Sequence, residues 1–330
     1  MLTAEYPPFR IDSWMANQHL QTLLPILKKG NLAPYKATKH IVPLRDGDRL
    51  VIHDQQPKNW ITGDRITILL HGLVGCHGSP YVVRAASKLR RHGIRTICVD
   101  MRGFGDSTLI SRSHLHGGCS PDLDDVIDLV SRHSPLSKIS VVGFSIGGNV
   151  ALRAAGAWGD QHPQNVDSII AISPPIDLQR TAWNLRNYGN RMYERYFMQR
   201  LRSHIAYRRR KVEGLVDNGL NPLPNRLLDF DDQFVAPLLG YRGAREYYQD
   251  CSAGPLLDRV CVPTIILTSK DDPIVPFDIY ETAQMASCIE MVTTTHGGHL
   301  GFIGRRNRDP DNHWMDWRIA EWISKIDGER

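Results

Sequence analysis

Six short stretches of the chain are predominantly apolar: 66–70, 95–100, 139–142, 168–172, 264–268 and 289–293. Runs of this length without strict alternation predict strands buried on both faces. Between them the apolar spacing changes to that of helices. Residues 81–92 and 122–133 read as helices, the latter with Val126, Ile127 and Val130 on one face, and small residues follow from Val150 to Ala157. Residues 314–326 close the chain as an amphipathic helix, with Trp314, Trp317, Ile319 or Ala320, and Ile323 spaced to face a core. Residues 40–54 alternate weakly around Asp46-Gly47-Asp48, a hairpin signal with a tight turn. Near the N-terminus, 17–27 has helically spaced leucines, and Pro25 is expected to interrupt or end that helix.

Strands alternating with helices imply an α/β fold, with a mostly parallel central sheet and helices on both faces. About ninety residues separate the strands 168–172 and 264–268, far more than one crossover helix needs. The expected organisation is an N-terminal extension (1–38) packed on a core (39–175 and 251–330), with a helical lid inserted at 176–250. The insertion changes the charge picture. The 330-residue chain carries a net charge of +5, yet 180–226 alone holds eleven Lys/Arg against three Asp/Glu. Arg208-Arg209-Arg210-Lys211 is the densest part. No aromatics interleave that run and no nucleic-acid motif accompanies it, so a solvated helix face is preferred over nucleic-acid binding. Attraction of an anionic substrate, or contact with an anionic membrane surface, is a further expectation for this segment.

Composition sets outer limits. Hydrophobic residues are 42% and charged residues 23%, the balance of a globular protein with a sizeable core. No apolar run reaches the roughly 18 residues that span a bilayer. Met1 to Arg10 lacks a basic-then-apolar signal pattern. Six cysteines are scattered without a Cys-x-x-Cys pair, and Cys98 falls inside a strand pattern. Together these suit a reducing cytoplasm.

The candidate chemistry begins at Val141-Val142-Gly143-Phe144-Ser145-Ile146-Gly147. A buried strand runs into Gly-x-Ser-x-Gly and then into a helix, so the glycines permit a sharp turn that exposes a hydroxyl at a helix N-terminus. A serine needs a base, and the base needs an orienting acid. Ser269-Lys270-Asp271-Asp272-Pro273 follows one strand, and Thr295-His296-Gly297-Gly298-His299 follows the last. Both lie at the same carboxyl edge of the sheet as Ser145, where ligands bind in such folds. Asp272 is preferred over Asp271 because the Pro-Ile-Val-Pro after it resembles the Asp-x-x-Val-Pro turn that carries the acid in folds of this kind, leaving Asp271 as a turn residue or an outer acceptor. His299 is preferred over His296 because two glycines let its loop swing over the serine. A metal site from His296, His299 and Asp271 lacks helical His spacing or a cysteine ligand. The backbone N–H groups of Ile146 and Leu73 are the expected oxyanion donors, with His71 and Gly72 shaping the loop. Trp183, Tyr188, Tyr193, Tyr196 and Phe197 are candidates to line an acyl pocket, although aromatics at such spacing are also ordinary packing residues.

His71-Gly72, Asp100-x-Arg-Gly-x-Gly-x-Ser107, Gly143-x-Ser-x-Gly and the late Asp/His pair resemble the α/β-hydrolase superfamily, in its chain order of Ser, Asp, His. More narrowly, the chain resembles the YheT-like esterases. The carrying residues are His19-Leu20-Gln21-Thr22, Ser79-Pro80-Tyr81, Phe230-Asp231-Asp232, Tyr247-Tyr248 with Cys251-Ser252, and His296 to Phe302. The segment from His114 to Asp122 is looser than that family's pattern, which leaves no role assigned to His116. The resemblance implies a serine carboxylic-ester hydrolase acting on short acyl esters or acylglycerols, with Ser145, Asp272 and His299 as the catalytic residues and no cofactor or metal. The same acyl-enzyme used for acyl transfer is one alternative. A non-catalytic binding protein on this scaffold is another.

Overall fold

A computed structural model of the chain describes residues 6–27, 36–306 and 309–328. Of the N-terminal extension, 1–5 and 28–35 therefore lie outside the described residues. Eight strands form one sheet: β1 (Thr38–Pro43), β2 (Arg49–Gln55), β3 (Ile66–Leu70), β4 (Arg95–Asp100), β5 (Ile139–Phe144), β6 (Val166–Ile172), β7 (Thr264–Ser269) and β8 (Ile289–Thr294). Their order is β1-β2-β4-β3-β5-β6-β7-β8. The β1–β2 and β2–β4 pairs are antiparallel and all later pairs are parallel.

The continuous apolar runs are explained by two cores. Successive side chains on a strand point to opposite faces. Ile68, Val141, Ile169 and Ile266 enter one core, while Leu69, Val142, Ile170 and Ile265 enter the other. Helices α3 (Ser120–His133) and α4 (Ile146–Trp158) contribute to the first core, and α2 (Pro80–Arg91) and α11 (Trp314–Gly328) to the second. Each buried Ile, Leu or Val stabilises by about 1.5–3 kcal/mol, so the two faces together fix the register of every strand.

The expected hairpin forms, and one local expectation changes. The hairpin has three loop residues: Leu44 and Asp48 close it, and Gly47 takes φ +83°. Helix α1 (Gln18–Leu27), by contrast, continues through Pro25. Proline removes the hydrogen bond to the Gln21 carbonyl, and that carbonyl abuts Gly301, where no Cβ would fit.

Between β6 and β7 lie α5 (Leu178–Leu185), the 21-residue α6 (Arg191–Lys211), α7 (Leu227–Phe230), a π-helical turn (Asp231–Val235), α8 (Ala236–Leu238) and α9 (Ala244–Cys251). Helix α10 (Asp278–Glu281) follows β7. Tyr193, Met198, Leu201 and Ile205 bury the inner face of α6. Asn149 of α4 ties in the far end of the insertion: its side chain donates to the Gly117 and Cys251 carbonyls and accepts from the Ala253 N–H.

Candidate active site

Ser145 sits between β5 and α4 with φ 53° and ψ −121°. This left-handed backbone is costly for a serine, at about 1–3 kcal/mol, and persists only where its surroundings force it. The forcing contacts are visible. The Ser145 N–H donates to the Ile172 carbonyl at 2.8 Å. A Cβ on Gly147 would lie 2.6 Å from the His71 carbonyl oxygen, so the helix packs on the end of β3 only without one.

The strand ends bring the other candidates to this hydroxyl. Asp272 follows β7, and its Oδ1 accepts the Ile274 and Val275 N–H groups at 2.8 and 3.0 Å. The turn thereby leaves Oδ2 to accept from His299 Nδ1 at 2.8 Å. His299 Nε2 lies 3.0 Å from Ser145 Oγ, which donates to it. The Asp272 and His299 side chains are 0% and 7% exposed, so the pair is shielded from competing water. Asp271 makes a separate pair: it meets His296 Nδ1 at 3.1 Å and accepts the Gly298 N–H at 2.9 Å. The two acids therefore hold two points of one loop, and the metal set considered from sequence is split between them.

That loop carries an unusual backbone. Gly297, Gly298, Leu300 and Phe302 all have positive φ, at 152°, 57°, 61° and 43°. Helix α1 braces it. Thr22 Oγ1 accepts the His299 N–H at 2.9 Å and donates to the Gln18 carbonyl at 2.8 Å. The fully buried Gln21 amide accepts the Ile303 N–H and donates to the Ile303 and Met15 carbonyls. Sequence reasoning singled out His19 to Thr22 only as part of a resemblance. The bond spans 277 positions, so no local pattern could reveal it.

On the opposite side, the loop after β3 faces the serine. The Gly72 N–H is taken by Tyr81 Oη at 2.8 Å. Leu73 and Ile146 follow and line the space beside Ser145. His71 is buried, with Nδ1 donating to the Gly72 carbonyl and Nε2 accepting the Met101 N–H. Burial pushes its pKa down, which suits a neutral framework imidazole. Farther along the loop, His77 Nδ1 and His53 Nε2 both meet Asp100 Oδ2, at 2.7 and 2.9 Å. With Asp106 these groups place possible metal-ligand atoms within 4.8 Å of one another. Asp100 also accepts the His77 and Asp106 N–H groups, and the Lys39 ammonium lies 2.5 Å from Asp106. Those donors hold the Asp100 carboxyl well below the usual carboxylate range despite burial. The cluster thus fits a hydrogen-bonded hub fastening the loop to β2 and β4.

Two cavities meet at Ser145. The larger, of about 430 Å³, is lined mostly by apolar groups, including Leu23, Pro25, Val74, Met192, Tyr196 and Phe197. The smaller, of about 100 Å³, lies under the insertion and reaches Asp231, Tyr247, Tyr248 and His116. Burial pushes Asp231 up to about 7, although it accepts the Tyr248 hydroxyl at 2.7 Å. His116 is pushed down to about 3 by burial and the nearby Arg102 charge. Of the five aromatics expected at a pocket, Tyr193, Tyr196 and Phe197 line the larger cavity. Trp183 and Tyr188 do not: they are 50% and 87% exposed, because they sit at the outer end of α5 and in the turn before α6.

A family model described as the alpha/beta hydrolase fold matches residues 67–305. The chain belongs to that family. Its relatives include "Putative esterase YheT" of Escherichia coli, 29% identical and aligned over 98% of this chain and 94% of its own length. Human monoacylglycerol lipase ABHD2 is 25% identical over 99% of this chain and 81% of its own. The medium-chain fatty acid ethyl ester synthase/esterase 2 of Saccharomyces cerevisiae is 25% identical over 79% of this chain and 62% of its own. As an α/β hydrolase, the chain carries its Gly-x-Ser-x-Gly turn, its late acid and its late histidine at one sheet edge.

Proposed function

We propose that the chain is a serine carboxylic-ester hydrolase. The observation that carries the reading is the continuous path from Asp272 through His299 to Ser145, with contacts of 2.8 and 3.0 Å. In this reading Ser145 Oγ attacks the ester carbonyl and gives its proton to His299 Nε2. Asp272 fixes the Nδ1–H tautomer and stabilises the imidazolium that forms. The Leu73 and Ile146 N–H groups hold the developing oxyanion, at the N-terminus of α4 where the helix dipole favours negative charge. His299 then protonates the leaving alcohol, and water cleaves the acyl-enzyme by the reverse route.

The insertion 176–250 acts as the lid. The larger cavity falls within the range of about 300–1,000 Å³ typical of ligand sites, and its apolar lining suits an acyl chain. The smaller chamber, with hydroxyl and carboxyl groups, suits the alcohol of an ester or acylglycerol. The esterase and lipase relatives support this substrate class. Among the described residues no helix is long and apolar enough to cross a membrane. All six cysteines are free thiols, in keeping with a cytoplasmic enzyme. A second reading, transfer of the acyl group to an alcohol, draws support from the yeast relative named as synthase and esterase; added ethanol would then divert product from acid to ethyl ester.

The test is hydrolysis of p-nitrophenyl esters from acetate to palmitate, with Ser145→Ala protein as the blank. The reading expects turnover that the substitution abolishes without unfolding the chain. Turnover retained in that variant refutes it.

A further inference from the structure

Helix α6 presents two faces of different character. Its inner face is buried against the insertion and the core. Its outer face exposes Met192, Tyr196 and Tyr207, at 50%, 42% and 39%, beside the exposed Trp183 and Tyr188. Single exposed apolar residues are ordinary, but Met192 and Tyr196, one turn apart on α6 and close in the chain to Trp183 and Tyr188, form a patch, with Tyr207 about three turns farther along the helix. Met192 and Tyr196 also line the larger cavity at Ser145, so the patch adjoins the entrance to that cavity.

The same surface is strongly basic. Helix α6 holds eight Arg/Lys and a single acid, Glu194, which is buried and accepts the Leu227 N–H. Arg208 is buried, and Arg209 pairs with Asp217. Arg191, Arg195, Arg200, Arg210 and Lys211 remain exposed. Arg186, Arg191, Arg195, Arg202 and Arg226 line an open groove of about 880 Å³ along the helix. Three guanidinium groups lie over exposed rings: Arg186 on Trp183 (4.8 Å), Arg191 on Tyr188 (5.4 Å) and Arg200 on Tyr196 (5.3 Å).

We propose that this face of α6, with Trp183 and Tyr188, is a docking surface for an anionic phospholipid bilayer. Charge complementarity selects phosphate headgroups for the arginines. The aromatic and methionine side chains then reach the boundary between headgroups and acyl chains, the depth such residues favour. A soluble polyanion explains the arginines but leaves the apolar patch unused. A single-stranded nucleic acid needs open aromatic faces for stacking, and here guanidinium groups cover three of them. Docked in this way, the cavity entrance faces the lipid. That last consequence rests on the proposed ester hydrolase, whereas the docking itself does not.

The test is flotation of the full chain with vesicles of phosphatidylcholine alone, or of phosphatidylcholine mixed with phosphatidylglycerol. The probe variant is Arg195→Glu/Arg200→Glu/Arg210→Glu, whose side chains do not line the larger cavity. A basic residue near an anionic surface contributes about fivefold in partitioning, so the triple reversal is expected to weaken binding by at least about 100-fold. Salt is expected to act in the same direction. Turnover of soluble p-nitrophenyl acetate, or the circular dichroism spectrum if turnover is nil, is expected to stay at the wild-type level and report the fold. Ser145→Ala protein is expected to bind the vesicles like wild type, which separates this proposal from the catalytic one. Three results would overturn it: no binding to the anionic vesicles, equal binding by the triple variant, or binding to single-stranded DNA without binding to vesicles.

Discussion

Replacing Thr22 with valine keeps the side-chain shape and removes one oxygen. That oxygen accepts the His299 N–H at 2.9 Å and sits in a residue only 4% exposed. Water cannot readily take its place. A buried N–H left without an acceptor costs about 1–3 kcal/mol. The loop that bears it already holds Leu300 and Phe302 at positive φ, so it has relaxed conformations available in which His299 no longer points at Ser145. If the whole cost falls on the positioned loop, kcat drops by about five- to 150-fold, since 1.36 kcal/mol is tenfold. The Asp272 contact limits the loss by holding the other side of the ring. The assay is steady-state hydrolysis of p-nitrophenyl acetate, whose small acyl group tests positioning rather than cavity fit. Thr22→Ser, which keeps the hydroxyl, is expected to retain most of kcat. A Thr22→Val protein with kcat within about twofold of wild type would refute the positioning role. Equal losses in the valine and serine variants would do the same.

Two further substitutions test the site's surroundings. Asp231 is raised to about 7 in the folded chain from an unfolded value near about 3.9, so its protonated form favours folding. That stability is present below about pH 4 and is lost as pH rises through 7. Asp231→Asn does not titrate, so its stability advantage over wild type should grow by about 2–3 kcal/mol between pH 5 and 8 in urea unfolding. A constant difference would show that Asp231 is ionised in the fold. Gly147→Ala places a Cβ 2.6 Å from the His71 carbonyl. It should cost about 1–3 kcal/mol in the melting transition and lower kcat further by displacing the Leu73 loop. An unchanged melting temperature would contradict the packing described.

The strands were legible because parallel strands, covered on both faces, need apolar residues at nearly every position. Ile66 to Leu70 illustrates this, since none of the five is exposed. The candidate chemistry was legible wherever a turn imposes a residue type, as at Gly143, Gly147 and the glycines before His299. The Pro-Ile-Val-Pro after Asp272 distinguishes it from Asp271 in the sequence, and the structure supplies the geometry: the turn amides at Ile274 and Val275 orient the second carboxylate towards His299, and the first reaches His296. Their spacing in the sequence makes Trp183 and Tyr188 candidates for a pocket lining or for ordinary packing. The turn before α6 puts them on the surface instead. Contacts between distant segments were the least legible, because periodicity records which face is buried and says nothing of the partner. The grip of α1 on the His299 loop and the hub of His53, His77 and Asp100 are both of this kind.

The most direct test of the central claim is intact-mass spectrometry after exposure to a fluorophosphonate, with peptide mapping of the adduct. The account predicts one adduct per chain, on Ser145, formed slowly or not at all in His299→Ala and absent in Ser145→Ala. Label on another residue, or ester turnover that survives complete labelling of Ser145, would contradict it.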